Sequence, residues 1–188
     1  VTNIGTSAFH GCSGLKNINF SENITSISAY AFNGCTSLTN INLPSKLKYI
    51  DNYAFYNCSS LASMDFPEGV TSIGDWAFWG CSGLTAITIP NSVTSIGSSA
   101  FYGCTNLTSV NIPEDAYYIG PYAFDDTSWY ENMPEGEVYT GKHLYKYKGE
   151  MPDNTSIVIK EGTVTICESA FDGCKGLARS TIPSSIRW

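Results

Sequence analysis

The sequence predicts a repeat solenoid, a fold in which short coils of similar sequence stack along one axis. Six phenylalanines follow one another at intervals of 23 residues, each after an alanine, and a further copy of the motif comes later. They are Phe9, Phe32, Phe55, Phe78, Phe101, Phe124 and Phe171. Cysteines lie three residues after most of them, at Cys12, Cys35, Cys58, Cys81, Cys104 and Cys174. Self-similarity at a fixed period is typical of coils that bury their apolar sides against their neighbours. We therefore expect these phenylalanines and cysteines to form an inward core ladder.

The first part of each coil, here termed the strand segment, is predicted to be a β-strand. In the clearest copy Ile87 and Ile89 point inward and Thr88 alternates with them. Pro90 then ends the segment, because proline has no N–H to donate to a ladder. Stacking in register predicts one parallel sheet with one strand per coil.

Two shorter parts complete each coil. The extended segment, Val93–Gly97 in this copy, directs Val93 and Ile96 inward. The turn segment follows, and Ala100-Phe101 predicts a single helical turn in which alanine permits close approach and phenylalanine fills the interior. Glycine at the end of the extended segment predicts a turn with positive φ. It recurs at Gly5, Gly74, Gly97 and Gly120.

The full pattern, LxxIxIPxxVTxIGxxAFxxC, resembles the BspA-type leucine-rich repeat, also called the Treponema pallidum-type repeat. The resemblance covers nearly the whole chain and implies one domain over residues 1–188, with seven to eight coils. It also implies a bacterial cell-surface or secreted protein that adheres to host proteins or to other cells.

Residues 125–153 interrupt the repeat. Thr127 stands where other coils have cysteine, and Val138–Tyr147 alternates around Gly141-Lys142, which predicts a β-hairpin. This hairpin is either a tolerated insertion or an overhang that adds Tyr139, Tyr145 and Tyr147 to a contact surface. Ser156–Ile159 is expected to resume the sheet.

The composition excludes several classes of partner. The net charge of −7 argues against nucleic acid and against an anionic membrane surface. No apolar run is long enough to span a bilayer, and the sequence has neither a signal peptide nor an initiator Met. Because both ends fall within a repeat unit, we expect a piece of a longer protein or a processed chain.

The sequence predicts neither a metal site nor a catalytic centre, and no cofactor. The two histidines, His10 and His143, are far apart, and no CxxC or GxSxG motif occurs. Acidic residues near Asp125 are expected to be solvated loop charges. We expect the repeated cysteines to be reduced, since side chains in a parallel stack point the same way. Cys167, at the glycine position, is the predicted exposed thiol.

Two stripes of aromatic residues are candidates for an interaction surface. The position two before each phenylalanine is aromatic at Tyr30, Tyr53, Trp76 and Tyr122, and the position just after it is aromatic at Tyr56, Trp79 and Tyr102. These rings either pack on one another as a convex cover or bind a protein or a sugar. The outward positions of the strand segment are an alternative binding face: Asn19, Asn42, Asp65, Thr88 and Asn111.

Three functions therefore stay open. The first is a non-catalytic protein-interaction module of a bacterial surface or secreted adhesin, with a host matrix or neighbouring-cell protein as partner. The second is a carbohydrate-binding module that uses the aromatic stripes. The third is a passive spacer within a longer surface protein.

Overall fold

A continuous parallel sheet runs along the solenoid through the extended segments. The structure is a computed structural model that describes residues 2–187. Six two-residue strands pair in sequence order, one per coil, with the repeated isoleucine of each aligned on the next. They are β1 (Asn3–Ile4), β2 (Ser26–Ile27), β3 (Tyr49–Ile50), β4 (Ser72–Ile73), β6 (Ser95–Ile96) and β8 (Tyr118–Ile119). The parallel solenoid predicted from the sequence is confirmed.

The strand segments make a second, shorter ladder. Here β5 (Ala86–Thr88) pairs in parallel with β7 (Ser109–Asn111), and Asp65 bridges to Thr88. Further along, β11 (Thr155–Val158) pairs with β13 (Leu177–Thr181). We expected the continuous sheet in this part of the coil, and that placement is wrong. Proline closes most strand segments and removes a donor, whereas the extended segments carry none and keep their ladder in every regular coil.

The turn segments are runs of tight turns, a geometry that replaces the helical turn expected from the sequence. Successive N–H groups alternate between their own turn and the next coil. In the second coil Ala31 N donates to Ser28 O at 3.2 Å, and Phe32 N donates to Ala54 O at 2.8 Å. Tyr30, with φ of 60°, bends the chain out of the helical region. Within residues 2–187 the single helix is α1 (Ser128–Glu131).

The glycines that end the extended segments do not have positive φ, so that prediction is wrong. At Gly74, Gly97 and Gly120 the missing side chain permits close approach between coils, whereas Gly5 has nothing within 4 Å. A Cβ on Gly97 would lie 2.4 Å from Asp75 N in the preceding coil, and one on Gly74 would lie 2.6 Å from Asn52 N. The positive φ angles fall instead two residues before and two residues after each phenylalanine in most coils.

The core is a column of stacked phenylalanine rings. Neighbouring rings from Phe9 to Phe124 lie 5.1–5.4 Å apart at interplanar angles of 4–9°. Phe32, Phe55, Phe78, Phe101 and Phe124 are fully buried. The terminal members of the set, Phe9 and Phe171, are only partly buried because each has a neighbouring coil of this kind on one side alone.

The buried cysteines link consecutive coils. Each thiol donates to the carbonyl of the phenylalanine 26 residues earlier, at 3.1–3.2 Å. The four thiols are those of Cys35, Cys58, Cys81 and Cys104. Burial raises the pKa of Cys35 and of Cys104 to about 12.

The other cysteines depart from expectation. Cys12, predicted to be inward, is exposed. Cys174 is half-buried. Cys167, the predicted exposed thiol, is buried with its pKa raised to about 12 by burial. Cys167 occupies the glycine position, which faces the preceding coil in this fold.

The predicted hairpin is confirmed, but it does not overhang the solenoid. Strands β9 (Gly136–Thr140) and β10 (His143–Lys148) are antiparallel, and β10 pairs in parallel with β12 (Thr165–Ile166). The hairpin thus supplies the extended segment of the seventh coil. Tyr145, which one of the two alternatives placed on a contact surface, is buried, and its hydroxyl accepts from Phe124 N at 2.9 Å.

Helix α1 replaces the strand segment that begins this interruption. Thr127 caps it by accepting from Tyr130 N at 3.1 Å and donates to Phe124 O at 2.6 Å. Lys148 of β10 donates from Nζ to the carbonyls of Tyr130, Glu131 and Met133 at 2.6–3.0 Å. A cation at the carboxyl end of α1 therefore ties the hairpin to the regular coils.

Candidate interaction surface

Two stripes of side chains run along the outside of the turn segments. The first stripe, two residues before each phenylalanine, consists of Ser7, Tyr30, Tyr53, Trp76, Ser99, Tyr122 and Ser169. The second stripe, one residue after it, consists of His10, Asn33, Tyr56, Trp79, Tyr102, Asp125 and Asp172. Both flank the buried phenylalanine, so the coil spacing sets the distance between successive members.

The rings in each stripe stack nearly face to face. In the first stripe the centroids of Tyr30 and Tyr53 lie 4.6 Å apart, and those of Tyr53 and Trp76 lie 5.0 Å apart. In the second stripe Tyr56 and Trp79 are separated by 4.7 Å. Trp79 and Tyr102 are 6.0 Å apart.

A lateral contact joins the two stripes into one surface of six rings. We call it the aromatic patch, and it consists of Tyr30, Tyr53, Trp76, Tyr56, Trp79 and Tyr102. Tyr53 meets Tyr56 at 5.6 Å and 45°. Every ring of the patch is at least partly accessible, and Tyr30 is 37% exposed. The rings pack on one another, as the first alternative predicted, and also remain partly open to solvent.

The first stripe holds large residues on strained backbone. Tyr30, Tyr53, Trp76 and Tyr122 have φ between 53° and 60°, in the left-handed region that bulky residues seldom adopt. Ser7 and Ser99 have the same conformation at the same position. Aromatic rings are thus not required for the turn itself, and their stacking offsets a backbone cost of about 1 kcal/mol or more per residue.

The turn segments of the regular coils carry acidic residues and no lysine or arginine. Their five carboxylates belong to Asp75, Asp125, Asp126, Glu168 and Asp172, and Asp51 ends the extended segment that precedes another turn. The charge of Asp126 is the main cause of a raised pKa at Tyr102. Burial raises the pKa of Asp51. The aromatic patch therefore lies in a negative field.

One lysine from the hairpin already binds to this surface. The Nζ of Lys146 lies 4.8 Å from the centroid of the Tyr122 ring and pairs with the Asp125 carboxylate. Asp125 also accepts from the Tyr145 hydroxyl at 2.6 Å. Sequence reasoning missed this contact, since it depends on how the seventh coil folds back against the sixth.

The alternative sheet face is polar and exposed. Its side chains, at Asn19, Asn42, Asp65, Thr88 and Asn111, all face solvent. Asp65, Thr88 and Asn111 are neighbours in the second ladder. No aromatic residue occupies this line of positions, so this face offers hydrogen bonds without large anchoring groups.

The two histidines of the chain lie in different surroundings, and neither belongs to a metal-binding cluster. Across residues 2–187 no group of three or more histidine, cysteine or acidic side chains is placed to hold a metal ion. His10 is exposed, whereas His143 is fully buried with Nε2 3.0 Å from Pro113 O. The same range contains no helix long and apolar enough to cross a membrane.

A family model for the BspA type leucine rich repeat region matches residues 2–131 and 143–188 in six copies. The chain belongs to this family. The unmatched gap, residues 132–142, contains β9 and the hairpin turn. The BspA-type coils of this chain are therefore regular on both sides of one inserted strand.

Solved bacterial leucine-rich repeat proteins have the same fold. A leucine rich repeat protein of T. pallidum is 37% identical over 67% of this chain and 59% of its own, with a TM-score of 0.66. A leucine rich cell surface protein of Faecalibacterium prausnitzii is 33% identical over 99% of this chain and 53% of its own, also at 0.66. An Eubacterium ventriosum leucine-rich repeat protein, 24% identical over 98% of this chain and 46% of its own, agrees in fold at 0.60.

The BspA-type chain thus spans between 46% and 59% of the length of these three proteins. Among curated proteins none matches it.

Proposed function

We propose that this BspA-type chain is a non-catalytic protein-interaction module of a bacterial cell-surface or secreted protein. The partner is a host matrix protein or a surface protein of a neighbouring cell, and the aromatic patch binds it. The carrying observation is that six stacked, partly exposed rings form one surface, and that the three first-stripe rings, Tyr30, Tyr53 and Trp76, lie on strained backbone that serine also fits. Tryptophan and tyrosine dominate the energetic centres of protein interfaces.

The family and one structural neighbour support the surface location. The F. prausnitzii protein is described as a leucine rich cell surface protein. The low share of charged residues in this chain, 14%, accompanies many Ser, Thr, Asn and Tyr residues. These residue types recur in recognition surfaces, where they provide contact area and adaptable hydrogen bonds.

The stacking favours a protein partner over a glycan. A sugar ring binds an aromatic side chain by lying on its open face. In the patch the faces of Tyr53 and Trp79 are each covered by two neighbours, so mainly edges and polar tips reach solvent. Edges and hydroxyls suit the mixed apolar and polar groups of a protein surface.

Binding of the purified chain to immobilised matrix proteins and glycans tests this proposal. The diagnostic variant is Trp76→Ser combined with Trp79→Asn. Serine and asparagine occupy the corresponding positions of other coils, at Ser99 and Asn33, so the variant is expected to fold. A matched control, Thr88→Ser, alters the sheet face alone.

We expect the chain to bind at least one matrix protein, the double variant to lose most of that binding and the control to keep it. Partner protein stripped of its glycans should still bind. Binding abolished by deglycosylation or by free oligosaccharide would support the carbohydrate module instead. A folded double variant with full binding would move the site to the sheet face, and no binding to any member of the panel would favour the spacer.

A further inference from the structure

The first stripe is interrupted at Ser99, between two aromatic residues. Trp76 stacks on Tyr53 on one side, and Tyr122 receives Lys146 of the seventh coil on the other. Ser99 lies between them in the stack and has no ring, so each of these residues has one face without a stripe neighbour. We call the ringless position at Ser99 the gap; the Ser99 side chain itself is buried.

The gap has the width of one planar group. Two coil spacings of about 4.8 Å separate Trp76 from Tyr122. A group midway between them would lie within the roughly 6 Å from a ring centroid at which a cation is attracted to the ring. The ammonium of Lys146 already lies at such a distance from the centroid of Tyr122, 4.8 Å.

A carboxylate borders the gap. Asp75 Oδ1 accepts the N–H of Ser98 at 2.7 Å, which holds this side chain beside Ser99. No lysine or arginine belongs to the turn segments of the regular coils. Lys146 of the hairpin lies at Tyr122 and already pairs with Asp125, so a further cation at the gap is expected from another molecule. The chain already contains one such arrangement: the ammonium of Lys146 lies over the Tyr122 ring and pairs with the carboxylate of Asp125.

We propose that the gap over Ser99 binds a guanidinium group of an arginine-rich segment of the partner protein, stacked between Trp76 and Tyr122 and paired with Asp75. This inference rests on the proposed function and narrows it to a basic partner. Arginine suits the gap better than lysine, because its planar group stacks on two rings and still donates from its edge to a carboxylate. An uncharged aromatic group would stack equally well but would leave the carboxylate unpaired.

The test uses a fluorescein-labelled peptide of Gly-Ser-Arg-Arg repeats and the whole chain, measured by fluorescence anisotropy. Ser99→Tyr fills the gap with the residue that other coils carry at this position and φ, so its fold is expected to persist. Ser7→Tyr is the matched control, with the same substitution at the same repeat position but outside the gap. Asp75→Asn removes the charge and keeps an oxygen acceptor, as Asn52 does one coil earlier at 2.8 Å.

We expect Ser99→Tyr to weaken peptide binding about tenfold, the scale of a desolvated cation–aromatic contact, and Asp75→Asn to weaken it several-fold. Ser7→Tyr should bind as the unmodified chain does. A peptide with citrulline in place of arginine should not bind, since citrulline keeps the planar shape without the charge. Equal binding by Ser99→Tyr and Ser7→Tyr, or retained binding of the citrulline peptide, would overturn the inference.

The matrix-protein panel tests the proposed protein-interaction function separately from the arginine site. If panel proteins bind through the aromatic patch while the arginine peptide does not, the inference of a basic partner is wrong, and the proposed interaction module stands. If neither the panel nor the peptide binds, the interaction module itself fails. Thermal unfolding of each variant excludes misfolding as the cause of a loss.

Discussion

Many individual residues in this chain make their main contacts with neighbouring coils, and local conformation explains their identity less well. The phenylalanine rings stack on their counterparts 23 residues away, and the buried cysteines donate to carbonyls of the preceding coil. Tyrosine and tryptophan take a left-handed backbone conformation that serine tolerates at the same position. Each of these contacts exists only because a neighbouring coil places its partner at one coil spacing.

Replacing Phe78 by alanine tests the ring column. Phe78 is fully buried between Phe55 and Phe101, so Phe78→Ala should lower the free energy of unfolding by about 3–5 kcal/mol, from lost transfer energy and the cavity left behind. Denaturant titration measures the loss. Phe9→Ala, at a half-buried site, should cost clearly less. A loss below about 1 kcal/mol at Phe78 would show that the column is not core.

Alkylation of the native chain tests the cysteine contacts. Cys12 is exposed and should react first, whereas the four thiols that donate to phenylalanine carbonyls should react only after unfolding. The raised pKa of Cys35, Cys81 and Cys104 also keeps these thiols protonated and unreactive at neutral pH. Peptide mass spectrometry assigns each modification. Reaction of Cys58 at the rate of Cys12, or unreactive thiols in the denatured chain, would contradict this prediction.

At the scale of elements, the three segments of a coil differ in how closely they approach their neighbours. The extended segments form the continuous sheet and need glycine where they turn away, since a methyl group on Gly74, Gly97 or Gly120 would lie less than 3 Å from the preceding coil. The strand segments, ended by proline, pair over shorter runs. The hairpin supplies one extended segment and is fastened by Lys146 and Lys148.

Gly97→Ala tests whether glycine is present here because the coils approach closely or because the backbone needs a conformation that favours glycine. The added methyl would lie 2.4 Å from Asp75 N, and Gly97 does not have positive φ, so any loss is steric. We expect a loss of about 1–3 kcal/mol in unfolding free energy, as for other overpacked sites. Gly5→Ala, with nothing within 4 Å, should be neutral or slightly stabilising. Equal effects at the two glycines would contradict the close-approach explanation.

The hairpin should carry a pH dependence at His143. Burial lowers the pKa of this histidine, although its bond to Pro113 O and the Glu114 charge oppose the shift. Among residues 2–187, nothing forms a hydrogen bond with its Nδ1. Because the unfolded chain binds the proton more readily, stability is complete above the unfolded value of about 6.5 and falls as the pH decreases below it, by up to about 1.4 kcal/mol per unit.

Unfolding measured between pH 7.5 and 5 compares the chain with His143→Gln. The variant lacks the titrating group, so the difference in unfolding free energy between the two proteins should shift with pH below about 6.5. His10, the other histidine, is exposed and present in both. A difference that does not change with pH would show that His143 does not titrate on unfolding.

At the scale of the whole molecule, the solenoid aligns equivalent positions of successive coils into extended surfaces. One line of positions becomes a polar sheet face, and another becomes an acidic, aromatic turn surface. The net charge of −7 adds to the field of that surface. Charge complementarity of this kind acts mainly on the rate of association and on partner choice.

Association with a basic partner should therefore weaken with salt. Raising NaCl from 50 to 500 mM shortens the screening length from roughly 13 Å to about 4 Å, so the association rate constant should fall by about tenfold or more. Surface plasmon resonance with the matrix protein identified in the binding panel measures it. An association rate that does not respond to salt would argue that the partner recognises the rings and not the charge.

The amino-acid sequence alone determined the period, the parallel solenoid, the identity of the inward phenylalanines and the position of the hairpin. Each of these follows from the spacing of apolar residues, which dictates burial wherever coils stack. Only the tertiary structure decided which segment carries the continuous sheet, why glycine is needed at Gly97, why Cys167 and Tyr145 face inward, and that Lys146 lies on Tyr122. These features depend on distances between neighbouring coils, and spacing within one coil does not encode such distances.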